Sequence, residues 1–168
     1  EALTRAGRNP DHLGVDDALL KRIGVYVELH VEQGRALDLV DRPIAVASAI
    51  WPHGRWEFVF DGAANHAGTT RLVDRRDPML PFASSVHAAR SAAATHDAVA
   101  TFGKILVSPN GANAIPSRVR AWLDARAADE ATLTALVDQI SAEAAGFAAL
   151  DGIDLEVTVE SITPIVEF

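Results

Sequence analysis

Apolar and polar side chains alternate along VYVELHV, residues 25–31, with the period of two that is typical of a half-buried strand. One face would carry the aliphatic residues Val25, Val27, Leu29 and Val31. The other face would carry Glu28, His30 and Glu32, and the stretch ends at Gln33-Gly34. This segment therefore predicts either a solvated sheet surface or a set of ligands that ends at a turn.

Shorter signals flank this stretch. Asp16 and Asp17 before ALLKRIG predict a short helix that is ended by Gly24. Residues 43–50, PIAVASAI, predict a connecting strand. The first 12 residues are polar and have no pattern of their own, so we expect the sequence to begin inside a larger unit.

From Arg55 onward the pattern predicts the order β-α-β-β-α-β. The strand segments are RWEFVFDG (55–62), AVATFGKILVS (98–108), RVRAWLDAR (118–126) and IDLEVTVE (153–160). Helix starts are predicted at Asp77-Pro78 and at Asp129-Glu130, because capping carboxylates precede apolar residues at helical spacing there. The economical architecture is an α+β, ferredoxin-like sandwich with two helices on one face of a four-stranded antiparallel sheet.

The same periodicity predicts the core. On the strands we expect Trp56, Phe58, Phe60, Val119, Ala121, Leu123 and Ala125 to point inward. On the helices we expect Phe82, Val86, Ala89, Ala93, Leu133, Leu136, Val137, Ile140, Ala144 and Phe147 to do so.

Composition excludes several classes of protein. The chain has 168 residues, 49% of them hydrophobic, and a net charge of −8, so it lacks the basic surface that nucleic acid requires. No apolar run approaches the ~20 residues of a membrane span and no signal peptide is recognisable, so we expect a cytoplasmic protein without a membrane partner. Cysteine is absent, so any metal must bind to His and carboxylates.

Three polar residues stand in loops or at a strand end. His66 lies between small residues in DGAANHAGTT, Asn113 lies in GANAIPS, and Arg126 ends RVRAWLDAR. Each has an ordinary interpretation: a loop histidine, turn chemistry, and a solvated strand end beside an aspartate. Only their combination suggests a site.

That combination resembles the zinc-dependent amidohydrolases of the hydantoinase/carbamoylase family. ELHVEQG is similar to the family's ELHIEQG, ANHAGTT to HAGTTPM, and GANAIPSRVRAWLDAR to NVIPGxVxFxLDIR. The final SITPIVEF is similar to its PPVPF-like return. The resemblance runs in order from about Gly24 to Phe168.

The resemblance implies an enzyme with a two-metal catalytic domain and an inserted lid, or dimerisation, domain that pairs into a homodimer. His30 would be a zinc ligand and Gln33 a substrate contact. His66 would polarise the scissile carbonyl and its oxyanion, and Asn113 and Arg126 would hold the substrate carboxylate. The substrate would be an N-carbamoyl amino acid or a related ureido acid.

The resemblance also implies where the domains begin and end and which metal ligands are missing. Residues 1–47 would be part of a catalytic segment, 48–162 the lid, and 163–168 the return. The family's other metal ligands have no counterpart here, so we expect a fragment that is inactive alone and does not bind zinc stably. Arg71-Leu72 replaces the usual Pro-Met, and Ser117 the usual Gly, which leaves substrate preference open.

Two other functions remain open at this point. The chain would also suit a non-catalytic ferredoxin-like module that binds a small molecule or forms dimers. It would equally suit the lid of a related peptidase or aminoacylase, although the Gln-Gly ending of ELHVEQG favours the carbamoylase branch.

Overall fold

The computed structural model describes residues 1–168 and divides them into two compact units, Glu1–Ala45 and Val46–Phe168. The first unit contains three one-turn helices, α1 (Ala2–Arg5), α2 (Asp17–Leu20) and α3 (Ala36–Leu39). The predicted helix after Asp16 is confirmed, since Asp16 Oδ1 accepts a hydrogen bond from Leu19 N at 2.9 Å. It ends at Leu20, earlier than the predicted stop at Gly24.

The strand predicted at residues 25–31 is wrong. None of the paired strands includes these residues, and Val25, Leu29 and Val31 are exposed. A strand needs a neighbour that pairs with its N–H and C=O groups, and no segment of this chain supplies one. Alternation alone therefore did not produce a strand. Of the predicted strand at residues 43–50, only Ala49–Ile50 forms.

The second unit contains two long helices and eight strands. They are β1 (Ala49–Ile50), β2 (His53–Asp61), β3 (Asn65–His66), α4 (Met79–Thr95), β4 (Val99–Ser108), β5 (Ala114–Ile115), β6 (Arg118–Arg126), α5 (Glu130–Leu150), β7 (Asp154–Thr163) and β8 (Val166–Glu167). The four long strands form one antiparallel sheet in the order β4-β6-β2-β7. This order and the two helices confirm the predicted α+β, ferredoxin-like fold.

Local chemistry explains where the two helices begin. Asp77 Oδ1 accepts a hydrogen bond from Met79 N at 3.0 Å, and Asp129 Oδ1 accepts one from Thr132 N at 2.8 Å. Both carboxylates satisfy backbone donors that have no partner inside the helix. The two predicted helix starts are therefore confirmed.

The core lies between the helices and one face of the sheet. Phe58, Phe60, Val119 and Leu123 are fully buried there, as alternation predicts. On α4 the prediction fails at Val86, which is 39% exposed. Ser85 is buried instead, because its hydroxyl donates to Pro81 O at 2.7 Å and leaves no polar group unsatisfied.

The opposite face of the sheet, called the open face below, carries no helix and bears several charged side chains. Arg120 pairs with Glu57 at 2.6 Å, and Lys104 Nζ lies 3.8 Å from the ring centre of Trp122. Trp122 Nε1 donates to Glu160 Oε1 at 2.6 Å. The polar half of each alternating strand therefore forms cross-strand pairs on this face.

Two short pairings extend the unit beyond the main sheet. β1 pairs with β8, which returns the chain end toward Ala49–Ile50. β3 pairs with β5, just past the Asp61–Arg118 end of the β2–β6 pair. None of the helices has the length and apolar character needed to cross a bilayer.

Candidate functional site

The β3–β5 pairing brings His66 and Asn113 together. His66 is the Cα partner of Ala114, the residue after Asn113, and Ala67 N donates to Asn113 O at 2.9 Å. Both side chains are exposed. The loops that contain His66 and Asn113 thus form one short ribbon, in which the two residues are neighbours through their backbones.

A tight turn after His66 selects the tautomer of its neutral imidazole ring. Gly68 N donates to His66 Nδ1 at 3.0 Å, so Nδ1 is an acceptor and, in the neutral ring, the proton lies on Nε2. His66 O accepts from both Thr70 N at 3.2 Å and Thr70 Oγ1 at 2.7 Å, which closes the turn. His66 therefore presents an exposed Nε2–H donor.

The glycine at position 68 leaves room for this close approach. A Cβ atom there would lie 3.2 Å from His66 Cε1 and 3.5 Å from His66 Nδ1. The first distance is tighter than an ordinary van der Waals contact, so a side chain at position 68 would shift the exposed ring by a few tenths of an ångström.

Arg126 lies at the other end of the sheet. It is paired with His53 on β2 and with Val99 on β4, whereas the His66 ribbon continues from the Asp61–Arg118 end. Along β6 the Cα atoms of Arg118 and Arg126 are separated by roughly 26 Å at the usual rise of a strand. One chain therefore does not bring Arg126 to the same small molecule as His66 and Asn113.

A carboxylate holds Arg126 in place. Its Nε and Nη2 donate to Asp124 Oδ1 and Oδ2 at 2.9 and 3.3 Å, and this pairing raises the pKa of Arg126. Asp124 is also 3.5 Å from Arg55 Nε. Partial burial would raise the pKa of Asp124, but hydrogen bonds and charge from Arg126 and Arg55 outweigh it and lower that pKa.

His30 and Gln33 both lie in the Glu1–Ala45 unit and are exposed. His30 Nδ1 is 2.6 Å from Val31 O, while Glu32 accepts from Ala36 N at 2.6 Å and so caps α3. Glu28 accepts from Tyr26 Oη at 3.2 Å. The predicted row of Glu28, His30 and Glu32 on one strand face is therefore absent.

No group of three or more His, Asp or Glu side chains in the structure lies close enough to hold a metal ion. A zinc site with protein ligands needs three or four of them. The residues present do not by themselves fit a zinc site.

A shallow depression lies elsewhere on the open face of the sheet. It has a volume of about 360 Å³ and is lined by Arg55, Lys104, Trp122, Asp124 and Glu160, among others. None of the five sequence-predicted site residues lines it. Arg55 pairs with Asp124 there, while Lys104 and Glu160 contact the ring and the Nε1–H of Trp122.

The sequence motifs do not reveal Arg75, whose side chain contacts the His66 turn. Its Nη2 donates to Ala67 O at 2.7 Å and its Nε to Thr70 O at 3.1 Å. The only signal was the pair Arg75-Arg76 shortly after HAGTT. Nothing in the sequence distinguishes which of two adjacent arginines turns toward the loop.

Known proteins share both sequence and fold with this chain. An N-carbamoyl-L-amino acid amidohydrolase from Geobacillus stearothermophilus is 38% identical over 127 residues, which cover 75% of this chain and 31% of that protein. The chain thus spans about a third of the length of this relative. No family model matches the chain.

Solved structures agree with the sequence match. An amidase of the hydantoinase/carbamoylase family from Burkholderia vietnamiensis superposes with a TM-score of 0.78 at 30% identity, covering 83% of this chain and 34% of that one. AtUAH in complex with (S)-hydroxyglycine also gives 0.78, at 27% identity, covering 82% and 34%. The motifs, the strand order and these matches together show that the chain belongs to the hydantoinase/carbamoylase family of amidohydrolases.

Proposed function

We propose that residues 48–162, which lie within the compact unit Val46–Phe168, are the lid and dimerisation domain of an amidohydrolase that cleaves the carbamoyl, or a related amide, C–N bond of N-carbamoyl amino acids and similar ureido acids. Residues 1–47 would belong to its catalytic domain, and residues 163–168 would return toward it. The observation that carries the proposal is the β3–β5 ribbon, which joins the exposed residues His66 and Asn113 in one structure and leaves His66 Nε2–H as a donor.

His66 suits the stabilisation of an oxyanion. Hydrolysis of a ureido or amide carbonyl places negative charge on its oxygen, and a fixed hydrogen-bond donor at that position lowers the barrier. Because Gly68 N occupies Nδ1, the neutral ring offers its proton from Nε2 without reorganisation. In this proposal His66 donates to the carbonyl oxygen and holds it as charge develops.

Arg126 and Asn113 suit a carboxylate. The planar guanidinium can bind two oxygens at once, and an amide NH₂ adds a further donor. Asp124 already orients Arg126 through two of its donors, which leaves the rest of the fork for a ligand. The (S)-hydroxyglycine in AtUAH is a small ligand that carries such a carboxylate.

The positions of these residues favour a site that is shared between two subunits. His66 and Asn113 lie beyond one end of the sheet and Arg126 lies at the other, so a single lid does not offer all three to one substrate. In a two-fold dimer the His66 ribbon of one subunit can meet Arg126 of its partner. The exposed edges of β4 and β7 are consistent with association of lids.

Zinc remains part of the proposal only for the complete enzyme. His30 would supply one ligand there, Gln33 would contact substrate, and the other ligands would come from chain beyond this sequence, since the match covers only 31% of the relative. When bound, such a metal would activate water. The roles proposed for His66, Asn113 and Arg126 do not depend on it.

The test is His66→Ala in the complete enzyme, assayed with N-carbamoyl-L-amino acids, allantoate and N-acetyl amino acids. We expect kcat to fall about 100-fold on the preferred substrate, the usual cost of removing one oxyanion donor. His87→Ala is the matched control, because His87 is an exposed histidine on α4. Full activity of His66→Ala would exclude this role, and a wild-type protein that hydrolyses none of the substrates would favour a non-catalytic module.

A further inference from the structure

The turn that carries His66 is held from outside by one side chain. Arg75 Nη2 and Nε donate to Ala67 O and Thr70 O, at 2.7 and 3.1 Å. These two carbonyls flank Gly68 and Thr69, so the guanidinium closes the turn from both sides. Arg75 is half-buried, unlike the exposed Arg71 and Arg76 near it.

This closure reaches His66 through the backbone. The Gly68 N–H that donates to His66 Nδ1 lies between the two carbonyls that Arg75 holds. If the turn opens, that N–H moves away from the ring and the proton is free to occupy either nitrogen. The His66 tautomer therefore depends on the shape of the turn, and the shape of the turn depends on Arg75.

We propose that Arg75 is a positioning residue for His66: its two hydrogen bonds fix the 66–70 turn and thereby keep the imidazole in the Nε2–H form. The effect on the ring is a property of this chain alone. Only its consequence for catalysis rests on the proposed function.

The geometry requires a guanidinium. Nε and Nη2 point along one edge of a rigid plane, and the two carbonyls meet that edge together. A lysine ammonium is a single flexible donor centre and does not hold both oxygens in a fixed relation. Arg75→Lys should therefore loosen the turn even though it keeps the charge and most of the stem.

The chain offers a matched control in Arg76. Its Nε donates to Gly152 O at 2.7 Å and its Nη2 to Asp154 Oδ2 at 3.2 Å, between α5 and β7. Arg76 thus has the same fork-like bonding to a different turn. Arg76→Lys should weaken a similar pair of hydrogen bonds and leave the contacts of the His66 turn unchanged.

The direct measurement is the ¹⁵N and two-bond ¹H–¹⁵N spectrum of the histidine rings in this 168-residue chain, at a pH where the rings are neutral. For wild type and Arg76→Lys we expect one Nε2–H tautomer at His66. For Arg75→Lys and Arg75→Ala we expect both ¹⁵N shifts to move toward the values of a mixed population.

Three results would overturn the proposal. An unchanged His66 tautomer in both Arg75 variants would show that the turn does not need this side chain. An equal change in Arg76→Lys would show general loosening. Unfolding of Arg75→Lys would show that Arg75 maintains the fold as a whole and not the His66 turn in particular.

Kinetics of the complete enzyme separate this inference from the proposed function. Arg75→Lys should lower kcat about ten- to a hundredfold with little change in KM, as expected for a misplaced catalytic group. Added to His66→Ala it should cause no further loss, because both changes remove the same interaction of the His66 ring. A change of the His66 tautomer without any kinetic effect would contradict the proposed role of His66 in catalysis, while Arg75 would still be its positioning residue. An additive loss of kcat in the double variant would contradict the inference that Arg75 acts through His66.

Discussion

Asp124 is the most heavily paired carboxylate on the open face of the sheet. It accepts from Arg126 and lies beside Arg55, and these partners lower its pKa in the folded chain despite partial burial. A group whose pKa is lower in the folded than in the unfolded state stabilises the fold above its unfolded pKa. That contribution is lost as the pH falls through the folded pKa.

We therefore expect Asp124→Asn to destabilise the chain by about 0.2 to 1 kcal/mol at neutral pH, the usual range for partly exposed ion pairs. The difference from wild type should begin to shrink as the pH falls below about 4, the ordinary pKa of an aspartate, and should vanish below the lowered pKa of the folded state, where the wild-type carboxylate is neutral as well. Urea unfolding at several pH values measures it. Asp138→Asn, which changes an exposed carboxylate on α5, is the control. A deficit that stays constant down to the most acidic pH would contradict the assigned ion pair.

At the residue scale the sequence predicts burial well where hydropathy is the cause. Phe58, Phe60 and Leu123 are buried because they are apolar and share one strand face. Hydropathy fails at Ser85, which is buried because its hydroxyl donates a hydrogen bond to Pro81 O. A hydropathy pattern does not include such a bond, so it predicts burial of the neighbouring Val86, which is exposed. Arg75 shows the same limit, since its partners are backbone carbonyls.

Among the connecting segments, Gly62 joins β2 to the His66 ribbon at a point where three parts of the chain meet. Its N–H donates to Ser117 O at 2.7 Å. A Cβ atom there would collide with Arg76 O, and it would lie 2.8 Å from Pro78 Cδ and 3.0 Å from Ile153 Cδ1. The backbone oxygen cannot rotate away as a side chain can.

Gly62→Ala should accordingly destabilise the chain by about 1 to 3 kcal/mol, the usual cost of overpacking, as measured by urea unfolding. Gly146→Ala is the contrasting control, because position 146 lies inside α5 with nothing within 4 Å of the new methyl group. That change should stabilise by about 0.5 to 1 kcal/mol through helix propensity. Unfolding of Gly62→Ala at the wild-type urea concentration would contradict the close packing around Gly62.

Elements differ in how far the sequence predicts them. The long strands and both long helices carry enough alternating or helical positions to be predicted, and β6 has the predicted bounds, Arg118–Arg126. β3 and β5 were predicted only as loops, because two-residue strands have no periodicity and form by pairing with each other. Residues 25–31 show the converse, since the pattern is present and the partner strand is not.

For the whole molecule, the separation of the candidate residues decides the proposed architecture. The motifs identified His66, Asn113 and Arg126 individually, but only strand order and register show which of them share an end of the sheet. The sequence alone therefore does not predict that His66 and Asn113 lie at one end of the sheet and Arg126 at the other. If all three residues bind one substrate, the site must be completed by a second copy of the lid.

The most direct test is complementation between subunits of the complete enzyme. One subunit carries His66→Ala and the other Arg126→Ala, and mixed dimers are isolated with two affinity tags after sedimentation confirms their size. In the shared-site arrangement one of the two sites keeps both residues, so the mixed dimer should recover about half of the wild-type kcat per dimer. A mixed dimer of His66→Ala with Asn113→Ala should stay inactive, because these residues share a ribbon and each site then lacks one of them. Mixed dimers of His66→Ala and Arg126→Ala that are as inactive as either parent variant would contradict a site built from two lids.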